Sequence, residues 1–101
     1  MDDTPGEIME RVADYFGVTV PAMLSKMNGY TLAMARRVAW TIIRRKCNLS
    51  YPQIAVQAGR GVHTTVISAV HRVEDMERLN LTVKVGNDEV PIHQVLTYLS
   101  A

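Results

Sequence analysis

The stretch from Asn48 to Leu79, NLSYPQIAVQAGRGVHTTVISAVHRVEDMERL, decides how the chain is read. Ser50-Tyr51-Pro52-Gln53 joins a helix N-cap, a proline in the first turn and a glutamine three residues after the cap. That spacing lets a hydroxyl and an amide satisfy backbone N–H groups that a helix start otherwise leaves orphaned. A helix of about two turns is therefore predicted through Ile54 and Ala55, stopped by Gly59. Gly59-Arg60-Gly61-Val62 reads as a turn and His63 to Leu79 as a long helix. At about 100° per residue, Val62, Val66, Ala69, Val70, Val73 and Met76 gather on one side. Thr64, Ser68, His71, Arg72 and Asp75 stand opposite, with Thr65 on the flank. A short helix, a glycine-containing turn and a longer helix opening on small hydroxyl residues is the layout of a DNA-reading helix-turn-helix. An antiparallel helix pair in a helical core shares that layout.

Outward from this stretch the punctuation remains helical. Thr4-Pro5-Gly6-Glu7 is a second capping-box start, followed by Ile8, Val12, Tyr15 and Phe16 at helical spacing and a stop at Gly17. Thr19 is predicted to cap a short helix running through Val20, Met23, Leu24 and Met27 to the turn at Asn28-Gly29. Thr31 is predicted to cap the next, in which Ala35, Val38, Ala39, Ile42 and Ile43 form one apolar stripe. Arg36, Arg37, Thr41, Arg44 and Arg45 fill the remainder, so the guanidinium groups are expected to point outward, with Trp40 toward the polar side covering an edge of the core. Thr82 to Asp88 alternates too briefly for a lone strand and fits either a loop or one arm of a hairpin within 82–90. Val90, Ile92, Val95, Leu96 and Leu99 predict a last amphipathic helix, with Pro91 near its start. The fold class is thus all-α, a compact helical bundle, with residues 1–101 forming one domain.

The formal charge of +1 hides three blocks. Residues 1–35 carry −3 and residues 73–101 carry −3, whereas residues 36–72 hold Arg36, Arg37, Arg44, Arg45, Lys46, Arg60 and Arg72 with no carboxylate, +7 in all. An acid-free block of this kind fits a phosphate-facing surface, as it fits solvated helix faces. The expectation is that its seven cations converge around the threonine corner as a single cradle for polynucleotide.

Other chemistry is hard to assemble. His63 and His71 lie eight positions apart on one helix, about 12 Å along its axis, too far to share one metal ion. His71 with Glu74 or Asp75 offers two ligands, which do not hold zinc. Cys47 is the single cysteine and cannot close an internal disulfide. No catalytic set, metal site, cofactor or small-molecule substrate is expected. The longest run free of Asp, Glu, Lys and Arg, Cys47 to Gly59, spans 13 residues and includes Asn48, Ser50, Pro52 and Gln53, too short and polar for a membrane span. The acidic start is not an export signal, so a cytoplasmic place at the nucleoid is expected.

Val12 to Val20 with Leu24-Ser25-Lys26, then Arg36 to Ile43, then Asn48 to Ile54, then His63-Thr64-Thr65-Val66, resemble in order and spacing the C-terminal DNA-binding domain, domain IV, of the bacterial replication initiator DnaA. The likeness covers about residues 8–79. It implies an all-helical, Trp-repressor-type bundle that binds short asymmetric duplex boxes, reads bases from the start of the long helix and adds a minor-groove arginine from a basic loop. By that resemblance His63, Thr64 and Thr65 map to base reading, and Lys26, Arg36, Arg44, Ser50, Pro52 and Arg72 fall at or beside backbone contacts. Arg37, Arg60 and Ser68 complete the candidate DNA-binding set. The implied partners are double-stranded DNA and, beyond it, replication proteins. The implied role is origin recognition or its regulation.

Two departures from the family accompany the likeness. Where the family turn reads Gly-Gly-Arg-Asp, this chain has Gly59-Arg60-Gly61-Val62, and Val62 can neither cap a helix nor accept from a cytosine amine. Where the family loop after Ser-Lys is arginine-rich, this chain has Met27-Asn28-Gly29-Tyr30 with only Lys26 basic, so loss of the minor-groove anchor and of some phosphate neutralisation is expected unless Arg37 or Arg60 substitutes. Weaker and differently specified binding is expected, with log K falling against log salt at a slope of about −4 to −6. The alternative is a protein-interaction module that kept the fold and docks on a protein partner. The sequence holds no Gly-x-x-x-x-Gly-Lys-Ser/Thr loop, so ATP-driven remodelling is not expected of it.

Overall fold

A computed structural model describes residues 3–58 and 63–101. The predicted stop at Gly59, the turn Gly59-Arg60-Gly61-Val62 and the side chain of Arg60 lie outside the described residues. In chain order the elements are α1 (Pro5–Phe16), α2 (Val20–Leu24), α3 (Tyr30–Lys46), α4 (Tyr51–Gln57), α5 (Thr64–Arg78), the hairpin β1 (Thr82–Val85) and β2 (Asp88–Pro91), and α6 (Ile92–Ser100).

Both capping boxes form. Thr4 Oγ1 accepts the Glu7 N–H at 3.1 Å while Glu7 reaches back to the Thr4 N–H, and Ser50 and Gln53 make the same exchange at the head of α4. Gly17, at φ 71°, closes α1 in the left-handed conformation that a β-carbon disfavours. Two predicted boundaries move. α2 ends at Leu24 and does not reach Met27, because Ser25 turns extended and its hydroxyl bonds the Ala22 carbonyl at 2.7 Å. α3 starts at Tyr30 with Gly29 as its cap, so Thr31 sits in the first turn and caps nothing.

α3 is the axis of the bundle. Leu32, Met34, Ala35, Val38, Ala39, Trp40, Ile42 and Ile43 are all buried, against α1, α5, α6 and β1 in turn. Enclosure on this scale is wider than one stripe, and it takes in polar residues the helical wheel placed outside. Thr41 is fully buried and satisfies its hydroxyl on the Arg37 carbonyl one turn back, at 2.7 Å. Trp40, expected at a polar edge, is inside the core. α5 contributes Val66, Ala69, Val70, Val73 and Met76 to the same core, as its periodicity predicts.

Beyond α5 the segment left open between loop and hairpin arm is a two-stranded antiparallel hairpin. Asn80, at φ 55°, reverses the chain and lets the Leu81 N–H bond the Met76 carbonyl. Val83 pairs with Val90 and Lys84 with Glu89, while Gly86 takes the positive φ that a two-residue turn requires. Val83 is fully buried, and the Tyr30 hydroxyl accepts the Lys84 N–H at 3.0 Å, fastening the hairpin to the first turn of α3. α6 then packs Ile92, Val95, Leu96 and Leu99 inward.

Asp3 ties the two chain ends to the bundle. Its carboxylate takes Arg11 Nη2 at 2.8 Å and Lys46 Nζ at 2.9 Å, while Arg11 Nε donates to the Leu99 carbonyl and Lys46 Nζ to that of Ser100. The hydrogen bonds from Arg11 and then Lys46 hold the Asp3 carboxyl well below the usual carboxylate range. A carboxyl depressed in this way stabilises the fold above its unfolded value, about 4, and loses that contribution as the pH falls below it. Asp3→Asn is expected to be less stable than the parent protein at neutral pH, with the gap narrowing steadily from about pH 4 down to about pH 2. Urea titrations across that range check this; a gap unchanged at the acid end would contradict it.

Candidate nucleic-acid interface

α3 and α5 lie side by side and leave an open groove of about 540 Å³ between them. Asn28, Ala33, Arg36, Arg37 and Trp40 line one side, and Thr65, Ser68, Ala69 and Arg72 the other. No carboxylate is among these lining residues. Thr65, Ser68 and Arg72 recur at three- and four-residue steps on the exposed side of α5, so one helical face carries two hydroxyls and a guanidinium. Thr64 is exposed beside them, and His63 precedes the helix without a side-chain cap bond to its first turn. Amphipathic α5 buries its valines against α3 and is thereby forced to present this hydroxyl edge outward.

The candidate residues do not all gather here. Arg37 does: half-buried, it lies one helical turn from Ala33 on the groove wall, with Nη1 3.6 Å from Met34 Sδ. Arg36, expected to point outward, is 7% exposed. Its guanidinium turns inward onto the end of α2, donating to the carbonyls of Met23, Ala22 and Ser25. Arg44 is drawn to the α3–α4 corner, where Nη1 donates to the Leu49 carbonyl at 2.6 Å and the guanidinium stands 4.5 Å over the Tyr51 ring. Lys26 is exposed in the loop that leads to Asn28. Ser50 and Pro52 are exposed at the start of α4, with the Ser50 hydroxyl engaged as a cap.

The single seven-cation cradle is therefore not what the chain builds. Arg45 pairs with Glu77 at 2.6 Å, and Lys46 with Asp3, both at the far end of α3. The physical reason is that the flanking acidic blocks fold back onto this end and claim its cations. Among the described residues, Arg37 and Arg72 remain on the groove walls with Arg36 beneath, and the threonine corner stands open to solvent. Asn28 is a groove residue that sequence reasoning treated only as a turn-former. Its position depends on how α2 docks on α3, which no local spacing encodes.

Residues 5–73 match the bacterial DnaA protein helix-turn-helix family. The chain belongs to that family. It is 35% identical over 71 residues to the chromosomal replication initiator protein DnaA of Methylobacillus flagellatus, covering 70% of this chain and 15% of that protein. It is 34% identical over 70 residues to the DnaA of Cutibacterium acnes, covering 69% and 14%. It is also 31% identical over 84 residues to that of Acholeplasma laidlawii, covering 83% and 19%. The chain thus spans less than a fifth of the length of these DnaA relatives. The family match takes in both helices of the α4–α5 unit up to Val73, and leaves the hairpin and α6 beyond it.

An engaged arginine and an open one separate experimentally. Arg44→Ala removes a carbonyl bond and a ring contact and is expected to lower the unfolding free energy by about 1 to 2 kcal/mol. Arg72, exposed and without an ion pair among the described residues, should cost under about 0.5 kcal/mol when replaced by Ala. Equal losses in thermal unfolding would show that Arg72 is also tied into the fold.

Proposed function

We propose that this domain binds double-stranded DNA through its α4–α5 helix-turn-helix, with the first turns of α5 in the major groove, in the class of replication-origin recognition or its regulation. The observation that carries the reading is the acid-free groove in which Arg37 and Arg72 flank the exposed Thr65 and Ser68, in a chain of the DnaA helix-turn-helix family. The chemistry is complementary. Arginines at the walls neutralise phosphate and set the register, while Thr and Ser hydroxyls accept from or donate to base edges and the threonine methyl can meet that of thymine. His63 and Thr64, at the exposed head of α5, extend the same edge toward the bases.

The protein-docking alternative draws no support from the family or from this geometry. No helix among the described residues is long and apolar enough to cross a membrane. Because Val62 stands where the family turn carries aspartate and the loop after Lys26 lacks arginines, the preferred duplex differs from the usual initiator box.

Selection of bound duplexes from a random pool tests the reading. Enrichment of one short motif is expected, and no enrichment at low salt would overturn it. With Arg37, Arg72 and Lys26 as the open cations of this region among the described residues, log K is expected to fall against log salt with a slope of about −3, shallower than the full cationic block would give. Thr65→Ala is expected to blur the preference between duplexes at nearly constant overall affinity. Arg72→Ala should weaken all duplexes alike and reduce the slope by about 0.9. Anisotropy titrations on matched and scrambled duplexes read both effects, and a uniform loss with Thr65→Ala would mean that α5 is not the reader.

A further inference from the structure

We propose that Arg36 is a positioning residue of the groove: its guanidinium locks the end of α2 so that the 25–29 loop holds Asn28 on the groove wall with Lys26 two residues before it, and it acts through that loop, not as a phosphate ligand. The functional half of this inference rests on the DNA-binding reading above, while its structural half stands apart from it.

Five residues are too few for a helix to hold itself, so α2 depends on outside partners, most of all at its C-terminus, where the last carbonyls lack intrahelical donors. Arg36 supplies them from the neighbouring helix. Nε donates to the Met23 carbonyl at 2.8 Å, and Nη2 to those of Ala22 at 3.1 Å and Ser25 at 2.9 Å. A cation at a helix C-terminus also meets the negative end of the helix dipole. The constraint passes down the loop: Ser25, held by its carbonyl, uses its hydroxyl to bond the Ala22 carbonyl and to accept the Met27 N–H at 3.1 Å. The next residue is Asn28, on the groove wall. A planar fork can address three carbonyls at once in fixed directions, whereas a lysine ammonium on a flexible stem cannot reproduce that geometry.

The discriminating variants are Arg36→Lys, which keeps the charge, and Arg36→Gln, which does not. Backbone amide exchange at residues 24–29 is expected to rise by more than about tenfold in both, while the amides of α5 stay protected. Affinity for the selected duplex should fall alike in both, by about tenfold, and Lys26→Ala should add nothing further in the Arg36→Gln background. If Arg36→Lys instead binds as the parent does while Arg36→Gln loses about 0.9 of the salt slope, Arg36 is a phosphate ligand and the proposal fails. Should either variant unfold, the parent protein decides: the Arg36 Nε proton is expected to keep its chemical shift and slow exchange when duplex is added, and a large shift overturns the proposal. Absence of any duplex binding by the parent would defeat the DNA-binding reading, with loop exchange in the variants still testing the lock on α2.

Discussion

The enclosure of α3 governs everything else in this molecule. A helix of 17 residues with ten of them buried has almost no free surface, and what it leaves uncovered is narrow. α1 and α6 cover it on one side, and α5 and the hairpin on others, so past its first turn the described residues leave a narrow accessible strip that carries Ala33 and Arg37. Because α5 must bury its valines against the same helix, its hydroxyl edge has to emerge next to that strip. The groove is a by-product of hydrophobic packing, and its chemistry follows from which residues the packing leaves over.

Charge follows the same logic. The acidic blocks at either end of the sequence are not spectators: Asp3 and Glu77 come back to the C-terminal end of α3 and pair with Lys46 and Arg45. Segregation along the sequence becomes segregation along one helix, with a neutralised end that anchors the termini and an open, acid-free region beside α5. The exposed Arg45–Glu77 pair contributes little to stability. On the proposed reading, both pairs keep those cations from a polyanion and concentrate its attraction on the groove.

Much of the fold was legible because the signals were local. The Thr4 and Ser50 capping boxes, the Gly17 stop and the inward side of α5 all depend on residues within one or two turns of one another, and they stand where the sequence puts them. Three misreadings within α3 share one cause. Arg36, Trp40 and Thr41 were assigned to the polar side of a helical wheel, but a wheel gives angle without saying how much of the circumference other elements cover. The start of α3 was missed at Gly29 because a glycine cap uses no side chain and so leaves no side-chain signature. The hairpin needed the Tyr30 hydroxyl and the Val83 site on the body, both remote in sequence. In the groove, Thr65, Ser68 and Arg72 were readable from periodicity, whereas Asn28 and the division of the arginines into engaged and open ones depended on tertiary contacts.

On the proposed reading, duplex DNA sits on the α3–α5 groove and not on the cation-rich end of α3. Mapping amide and side-chain shifts of isotope-labelled protein during titration with a selected short duplex tests it most directly. Perturbations centred on Asn28, Arg37, Thr65, Ser68 and Arg72 are expected, with Arg45, Lys46 and the end of α6 unmoved. Shifts centred on Arg45 and Lys46, with the groove silent, would contradict it.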